Sequence, residues 1–463
     1  MNLKNFKKIH FIGIGGISMS GLAKLIKKHG FIVTGSDITA SPETNELIKL
    51  GLNICIGDAP SLVQQADLII YTNAVGKDNP DLILAKNLGK SILERAEFLG
   101  FVSNLYKNVI AISGTHGKTT TTSMIGLVFD SANLKPTIHI GGISNDFDSN
   151  MIVGKKHYFI TEACEYNKSF LHIQPTVAVI NNIEKDHMDC YHDFDELFAT
   201  FQQFAHQTTE CVILNGDLIN KDSFSSKEKT IITFGEKETN TCYPINIKNT
   251  KGKYAFDCIY KEANLGRITL NIVGRHNILN ALSCICVAMY YNIPFDIIAT
   301  ALNKFSGVGR RFETIFKKSK ITMVHDYAHH PTEIKCSIDT AKTISRGRLI
   351  VIFEPHTYSR TLTLMEEFST AFSKADRLII LPTYPAREMP MLGGDAIDLF
   401  YRVAENCKET LFFNHLNSLF NELDNSIQEN DFILWLGAGT IYKFSKLYSE
   451  HLKELLKITK KED

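Results

Sequence analysis

Apolar residues along this chain recur in short β-branched runs, each followed by a polar or glycine-rich turn and then by a stretch with helical spacing. Residues 9–14, 31–33, 67–75, 109–112, 177–180, 349–353 and 378–381 are such runs. Runs this short, bounded by turn residues, predict buried strands. Between them, Leu22, Leu25 and Ile26, and later Met124, Ile125, Leu127 and Val128, line single helical faces. Strand–helix alternation of this kind predicts parallel sheets with helices on their faces, an α/β fold class.

With 463 residues the chain exceeds one ordinary core, so two or three domains are expected. A glycine-hinged basic turn, residues 306–313, marks a boundary near 310. The division is 1–102, a Rossmann-like domain; 103–309, a central P-loop-type ATPase domain with a mostly parallel sheet; and 310–463, a second Rossmann-like domain. Residues 220–265 are polar and lysine-rich and read as a β-rich excursion of the central domain. The tail ending in KKED reads as a fraying helix. Fifty basic and fifty acidic residues cancel. That excludes a nucleic acid or an anionic membrane held by bulk charge. The ten cysteines form no C-x-x-C pair and read as reduced thiols, which places the chain in the cytoplasm. No apolar stretch reaches membrane-span length, so no membrane insertion is expected. Lys4, Lys7 and Lys8 precede an apolar run that glycines 13, 15, 16 and 21 break up, which argues against a leader.

Chemistry enters at residues 109–129, read as strand, phosphate loop and helix. Gly114, Thr115, His116, Gly117, Lys118, Thr119 and Thr120 form the turn. Backbone N–H groups at a helix start point at an anion, and the glycines let the backbone approach it. Lys118 reaches outer phosphates, and the Thr119 hydroxyl is placed for Mg²⁺. The two glycines lie closer together than in GxxxxGK followed by Ser or Thr, so this is a variant loop. A first glycine turn, Gly13, Gly15 and Gly16, opens a β-α-β unit with Asp37 beyond it, the arrangement of a dinucleotide site. Ser18 stands where its third glycine would be.

GTHGKTTTT resembles the ATP loop of the Mur ligase superfamily, the ATP-dependent amide-forming enzymes of peptidoglycan assembly. GIGGISMSG is similar to the first-domain motif of its UDP-muramate ligases. The resemblance implies that Gly13, Gly15, Gly16, Met19, Ser20, Ser36 and Asp37 bind the UDP part of the substrate. Carboxylates at a strand end beside a phosphate loop suit Mg²⁺; of Glu162 and Glu165, the family pattern selects Glu165, with Asn167 replacing its aspartate. His187, in IEKDHMD, is implied to hold a second Mg²⁺. His276, Asn277 and Asn280, in GRHNILNA, are implied ATP contacts, and the two asparagines share a helical face. Arg310 and Arg311 offer guanidinium forks to phosphate. Asp326 and His329, in DYAHHPTE, belong to a third-domain signature that closes on the nucleotide. EPHTYSRT resembles the pattern of alanine-adding members, with Glu354 for glutamine. There Arg360, with His356 beside it, is the candidate grip on a carboxylate.

The implied cofactors are ATP and Mg²⁺. The implied substrates are UDP-N-acetylmuramate and L-alanine, handled by a monomer or homodimer, with Lys118, Glu165, His187 and Arg360 as the catalytic group. Three alternatives stay open: a ligase attaching a recycled murein tripeptide, an NAD-dependent oxidoreductase, and a P-loop switch protein.

Overall fold

The first apolar run forms the strand Lys8–Ile12, buried from Ile9 onward. It is the centre of a five-stranded parallel sheet ordered Asn53–Ile56, Ile32–Asp37, Lys8–Ile12, Leu68–Tyr71, Ser91–Glu94. The chain reverses direction of winding beside Lys8–Ile12, so a crevice opens at its C-terminal end, where Gly13 begins the turn. Asn53–Ile56 escaped the apolar pattern because it is a half-exposed edge strand. The structure is a computed structural model and describes residues 3–224, 228–318 and 320–462.

The central sheet has ten strands: Ala263–Val273, Lys253–Tyr260, Cys242–Thr250, Thr230–Phe234, Cys211–Asn215, Val177–Ile180, Asn108–Ser113, Tyr158–Glu162, Thr137–Ser144 and Ser149–Ile152. Its middle is parallel and both ends are antiparallel. The polar segment 220–265 therefore extends the main sheet. Strand Cys242–Thr250 is buried at its start and exposed at its end, and Ala263–Val273 alternates buried and exposed positions over 267–271, as suits antiparallel strands with one wet face. Helix Lys118–Ser131 is buried on nearly every side, not along one stripe. It lies against Thr137–Ser144 and helices His276–Tyr290 and Phe295–Lys304. That enclosure puts Thr121, Thr122 and Ser123 inside the protein.

The third sheet is ordered Glu313–Lys318, Ile321–Asp326, Phe432–Leu436, Leu349–Phe353, Arg377–Ile380, Thr410–Phe412, parallel except for its first pair. Helix Ile441–Glu462 covers it, and Asp463 lies outside the described residues. Among the described residues no helix is long and apolar enough to cross a membrane.

The first domain docks through helix Ile17–Lys28 on the central hairpin: Ser18 Oγ meets His139 Nε2 at 3.0 Å and Lys24 Nζ donates to Asn150 Oδ1 at 2.9 Å. The third domain docks on the central loop that follows Val177–Ile180, where Arg360 and Asp186 are paired at 2.8 Å.

Candidate active site

Strand Asn108–Ser113 ends between two neighbours, so residues leaving three strand ends converge. Gly117 caps helix Lys118–Ser131 with φ +81°, and a Cβ there would stand 2.5 Å from Asn280 Oδ1. Only glycine fits both constraints. Asn182 pins the loop with its side chain and its backbone: the His116 amide donates to Asn182 Oδ1 at 2.8 Å and that of Thr115 to Asn182 O at 3.2 Å. Beneath it, Asn181 Nδ2 donates to Thr121 Oγ1 at 3.2 Å, Thr121 Oγ1 to Asn280 Oδ1 at 3.3 Å, and Asn280 Nδ2 to Asn277 Oδ1 at 3.0 Å. The two asparagines share a face as their spacing predicts, and their amides brace the loop.

Lys118 Nζ donates to the carbonyls of Gly114 and Thr115 and to Glu165 at 2.9 and 3.0 Å. Burial opposes its charge, but the Glu165 carboxylate outweighs burial and holds the ammonium above its ordinary pKa. Thr119 Oγ1 donates instead to Glu162 Oε2 at 3.1 Å. The hydroxyl-carboxylate pair beside the loop is thus Thr119 with Glu162, while Glu165 belongs to Lys118. Burial raises the Glu162 pKa, and the Gly141 amide, Lys118 and Thr119 pull it back. Two oxygen donors of this kind fit a hard cation such as Mg²⁺. Strand Tyr158–Glu162 ends at Glu162, and that position next to the phosphate-loop strand is the signal that marks it.

A cavity of about 580 Å³ lies over the loop, walled by His116, Gly117, Thr119 and Thr120 and by His276, Asn277, Asn280 and Asp326. Arg311 lines it, whereas Arg310 turns away. Arg310 Nη2 donates to Ala438 O at 3.1 Å, and its guanidinium stacks between Tyr327 and Tyr442. A smaller cavity of about 270 Å³ is lined by Asp186, His187, His356, Thr357, Arg360 and Arg387. There Arg360 Nε donates to Asp186 Oδ1 at 2.8 Å and Nη1 to His356 O at 2.9 Å. Burial favours a neutral Asp186, but Arg360 overrides it and keeps that carboxyl well below its ordinary range. Burial, with His329 and Arg360 nearby, keeps the His356 imidazole neutral. His329 stands at this junction, its ring 5.5 Å from that of His356; burial and Arg360 push it down to about 4.

The chain matches the Mur ligase family catalytic domain over residues 8–107, the Mur ligase middle domain over 112–288 and the Mur ligase glutamate ligase domain over 310–439. The chain belongs to the Mur ligase family. It is 41% identical over 456 residues to the UDP-N-acetylmuramate–L-alanine ligase of Clostridium tetani, covering 96% of this chain and 98% of that one. Its identity to the enzyme of the same name from Caldanaerobacter subterraneus is 38% over 461 residues, 98% of this chain and 100% of that one. The crystal structure of a UDP-N-acetylmuramate–alanine ligase from Thermotoga maritima superposes with TM-score 0.83 at 27% identity, over 97% of this chain and 99% of that one. A murein peptide ligase from Psychrobacter arcticus shares the fold, with TM-score 0.72 at 22% identity over 96% and 98%.

In this Mur ligase the first glycine turn is built around Asp37, whose Oδ2 accepts the Gly15 amide at 2.8 Å. Ser36 Oγ donates to buried Asp81 at 2.8 Å. Gly16 starts helix Ile17–Lys28 with no side-chain cap, so N–H groups at that helix start stay open to an anion. Met19 and Ser20 differ from the expectation of substrate contact. Met19 is 1% exposed in the core, and Ser20 Oγ bonds Ile17 O and Asn150 Nδ2. Both side chains brace the helix. His187 lines the smaller cavity, while Thr119 lines the larger. The His187 ring stands edge-on to Tyr166, with Asp186 Oδ2 at 3.6 Å. Asn167 suits its place: φ is +51°, a conformation asparagine tolerates better than most residues. Glu354 accepts from Thr440 Oγ1 and from the Ile441 amide at 3.1 Å, so the acid caps the last helix. Thr357 holds φ +68°, an outlier for a β-branched residue, and lines the smaller cavity. Its sequence position gave no sign of this.

Proposed function

We propose that this Mur ligase joins L-alanine to the carboxylate of UDP-N-acetylmuramate, with ATP converted to ADP and phosphate, in peptidoglycan precursor synthesis. The observation that carries the reading is the loop after Val177–Ile180. Asn182 and Glu184 line the larger cavity and Asp186 and His187 the smaller, so a phosphoryl donor and an acid acceptor meet along one segment. Residues 1–102, 103–309 and 310–463 serve as sugar-nucleotide, ATP and amino-acid domains.

A carboxylate is a poor electrophile. Its oxygen attacks the γ-phosphorus, the bond to ADP breaks, and an acyl phosphate forms. The neutral amine then attacks the acyl carbon, phosphate departs and the nitrogen loses a proton. Lys118 neutralises charge on the transferring group, and phosphate oxygens that recruit it release Glu165. Thr119 and Glu162 would hold Mg²⁺, with Glu165 and His187 as further candidates. Bound there, Mg²⁺ supplies charge neutralisation between phosphate oxygens. The remaining groups position: Asn181, Asn277 and Asn280 hold the loop, and Arg360 ties the third domain to Asp186. The buried junction of the two domains keeps water from the acyl phosphate.

ATP, Mg²⁺ and UDP-N-acetylmuramate, with either L-alanine or the murein tripeptide, separate the two ligase readings. Rapid ADP release with L-alanine alone is expected; release only with the tripeptide contradicts the reading. The ten free thiols and the likeness to L-alanine ligases support a cytoplasmic enzyme.

A further inference from the structure

We propose that His116, Glu184 and His330 form a binding site for a divalent transition-metal ion, distinct from the cation site at Thr119. Each comes from a different segment: the phosphate loop, the central loop after Val177–Ile180, and the turn before helix Pro331–Ile344. One ligand atom from each lies within 4.8 Å of the other two. His116 Nε2 is 3.4 Å, and His330 Nδ1 3.8 Å, from Glu184 Oε2. The edge of a tetrahedral nitrogen-oxygen zinc site is about 3.4 Å, from bonds of about 2.05 Å. Small side-chain rotations close the set on an ion.

The hydrogen bonds outside the cluster fix the orientation of both rings. His330 Nε2 lies 3.1 Å from Lys185 O, and a carbonyl only accepts, so Nε2 carries the proton and Nδ1 the lone pair; that lone pair accepts the Thr332 amide at 3.3 Å, a long contact that an ion would displace. His116 Nδ1 lies 3.2 Å from Glu333 Oε1, which likewise places its proton outward. His116 Nε2 is buried and makes no close hydrogen bond, with the Glu184 carboxylate at 3.4 Å as its ion-pair partner. Thr332 Oγ1 donates to Glu184 Oε2 and orients that carboxylate. Metal-ligating histidines use this pattern: the outer N–H goes to a carboxylate or carbonyl and fixes the ring. Two imidazoles and one carboxylate favour zinc, cobalt or nickel over magnesium. The larger cavity offers the fourth position, since His116, Glu184 and Thr332 line it. A proton competes for the same place. Burial lowers the His116 pKa, but Glu184 and Glu333 raise it to about 9, so binding an ion displaces that proton. A bound ion would link the phosphate loop directly to the third domain.

The full chain, without nucleotide and in excess Mg²⁺, is titrated with Co²⁺ and followed by visible absorption. One Co²⁺ per chain with the intense bands of a low-coordinate site is expected. His330→Gln and Glu184→Gln should each weaken binding by at least about 10-fold, while His187→Gln leaves it unchanged. No bound ion, or equal binding by the first two variants, overturns the proposal. X-ray absorption on the unaltered chain decides independently of variant folding: two imidazoles in the inner shell support the site, and a shell of oxygen or sulfur alone refutes it.

Discussion

At Lys118 every N–H of the ammonium already has an acceptor inside the protein: two loop carbonyls and Glu165. Removing that charge by Lys118→Ala should cut kcat by at least about 10²-fold, the typical loss of one transition-state donor. Binding of the UDP-sugar, measured calorimetrically, should survive because its domain is separate. Glu162 makes a sharper distinction. Its contact with Thr119 predicts that Glu162→Gln raises the Mg²⁺ needed for half-maximal turnover by about 10-fold or more. An unchanged requirement would return that role to Glu165. His116 predicts a pH effect. Its folded pKa, raised to about 9, lies above its ordinary value of about 6.5. The stabilisation it provides is complete below the lower value and fades as pH rises through the upper one. Melting temperatures in chelator should fall across that window, and His116→Gln should flatten the fall.

Among the elements, the loop from Asn181 to Asp189 and helix Tyr358–Thr363 meet at one ion pair, Asp186 with Arg360. Arg360→Ala should raise the KM for a carboxylate-bearing substrate. Because that side chain also holds Asp186, Asp186→Asn should reproduce part of the effect, and the double variant should fall short of additivity. Additive losses would separate the two residues. The strand-turn-helix units were legible because each short apolar run ends in a glycine or polar turn. The phosphate loop and the Asn277–Asn280 pair were legible because local spacing fixes them. Pairings made across the sheet were not: Glu162 differs from Glu165 only in ending its strand beside the phosphate-loop strand, and nothing local distinguishes Arg310 from Arg311. The choice depends on which side of a strand end or turn faces Thr119 or the cavity. Residues 220–265 hid their strands because one wet face breaks the apolar run.

Across the whole molecule, the central domain touches both others, the first through helix Ile17–Lys28 and the third through the Asp186–Arg360 pair. The proposed function turns on transfer of a phosphoryl group from triphosphate to acid. Isotope placement reads that step directly. UDP-N-acetylmuramate carrying ¹⁸O in its carboxylate is turned over with ATP and L-alanine, and the released orthophosphate is analysed by mass spectrometry. An acyl phosphate predicts one ¹⁸O per phosphate formed from doubly labelled carboxylate. Amide product with unlabelled phosphate would contradict it.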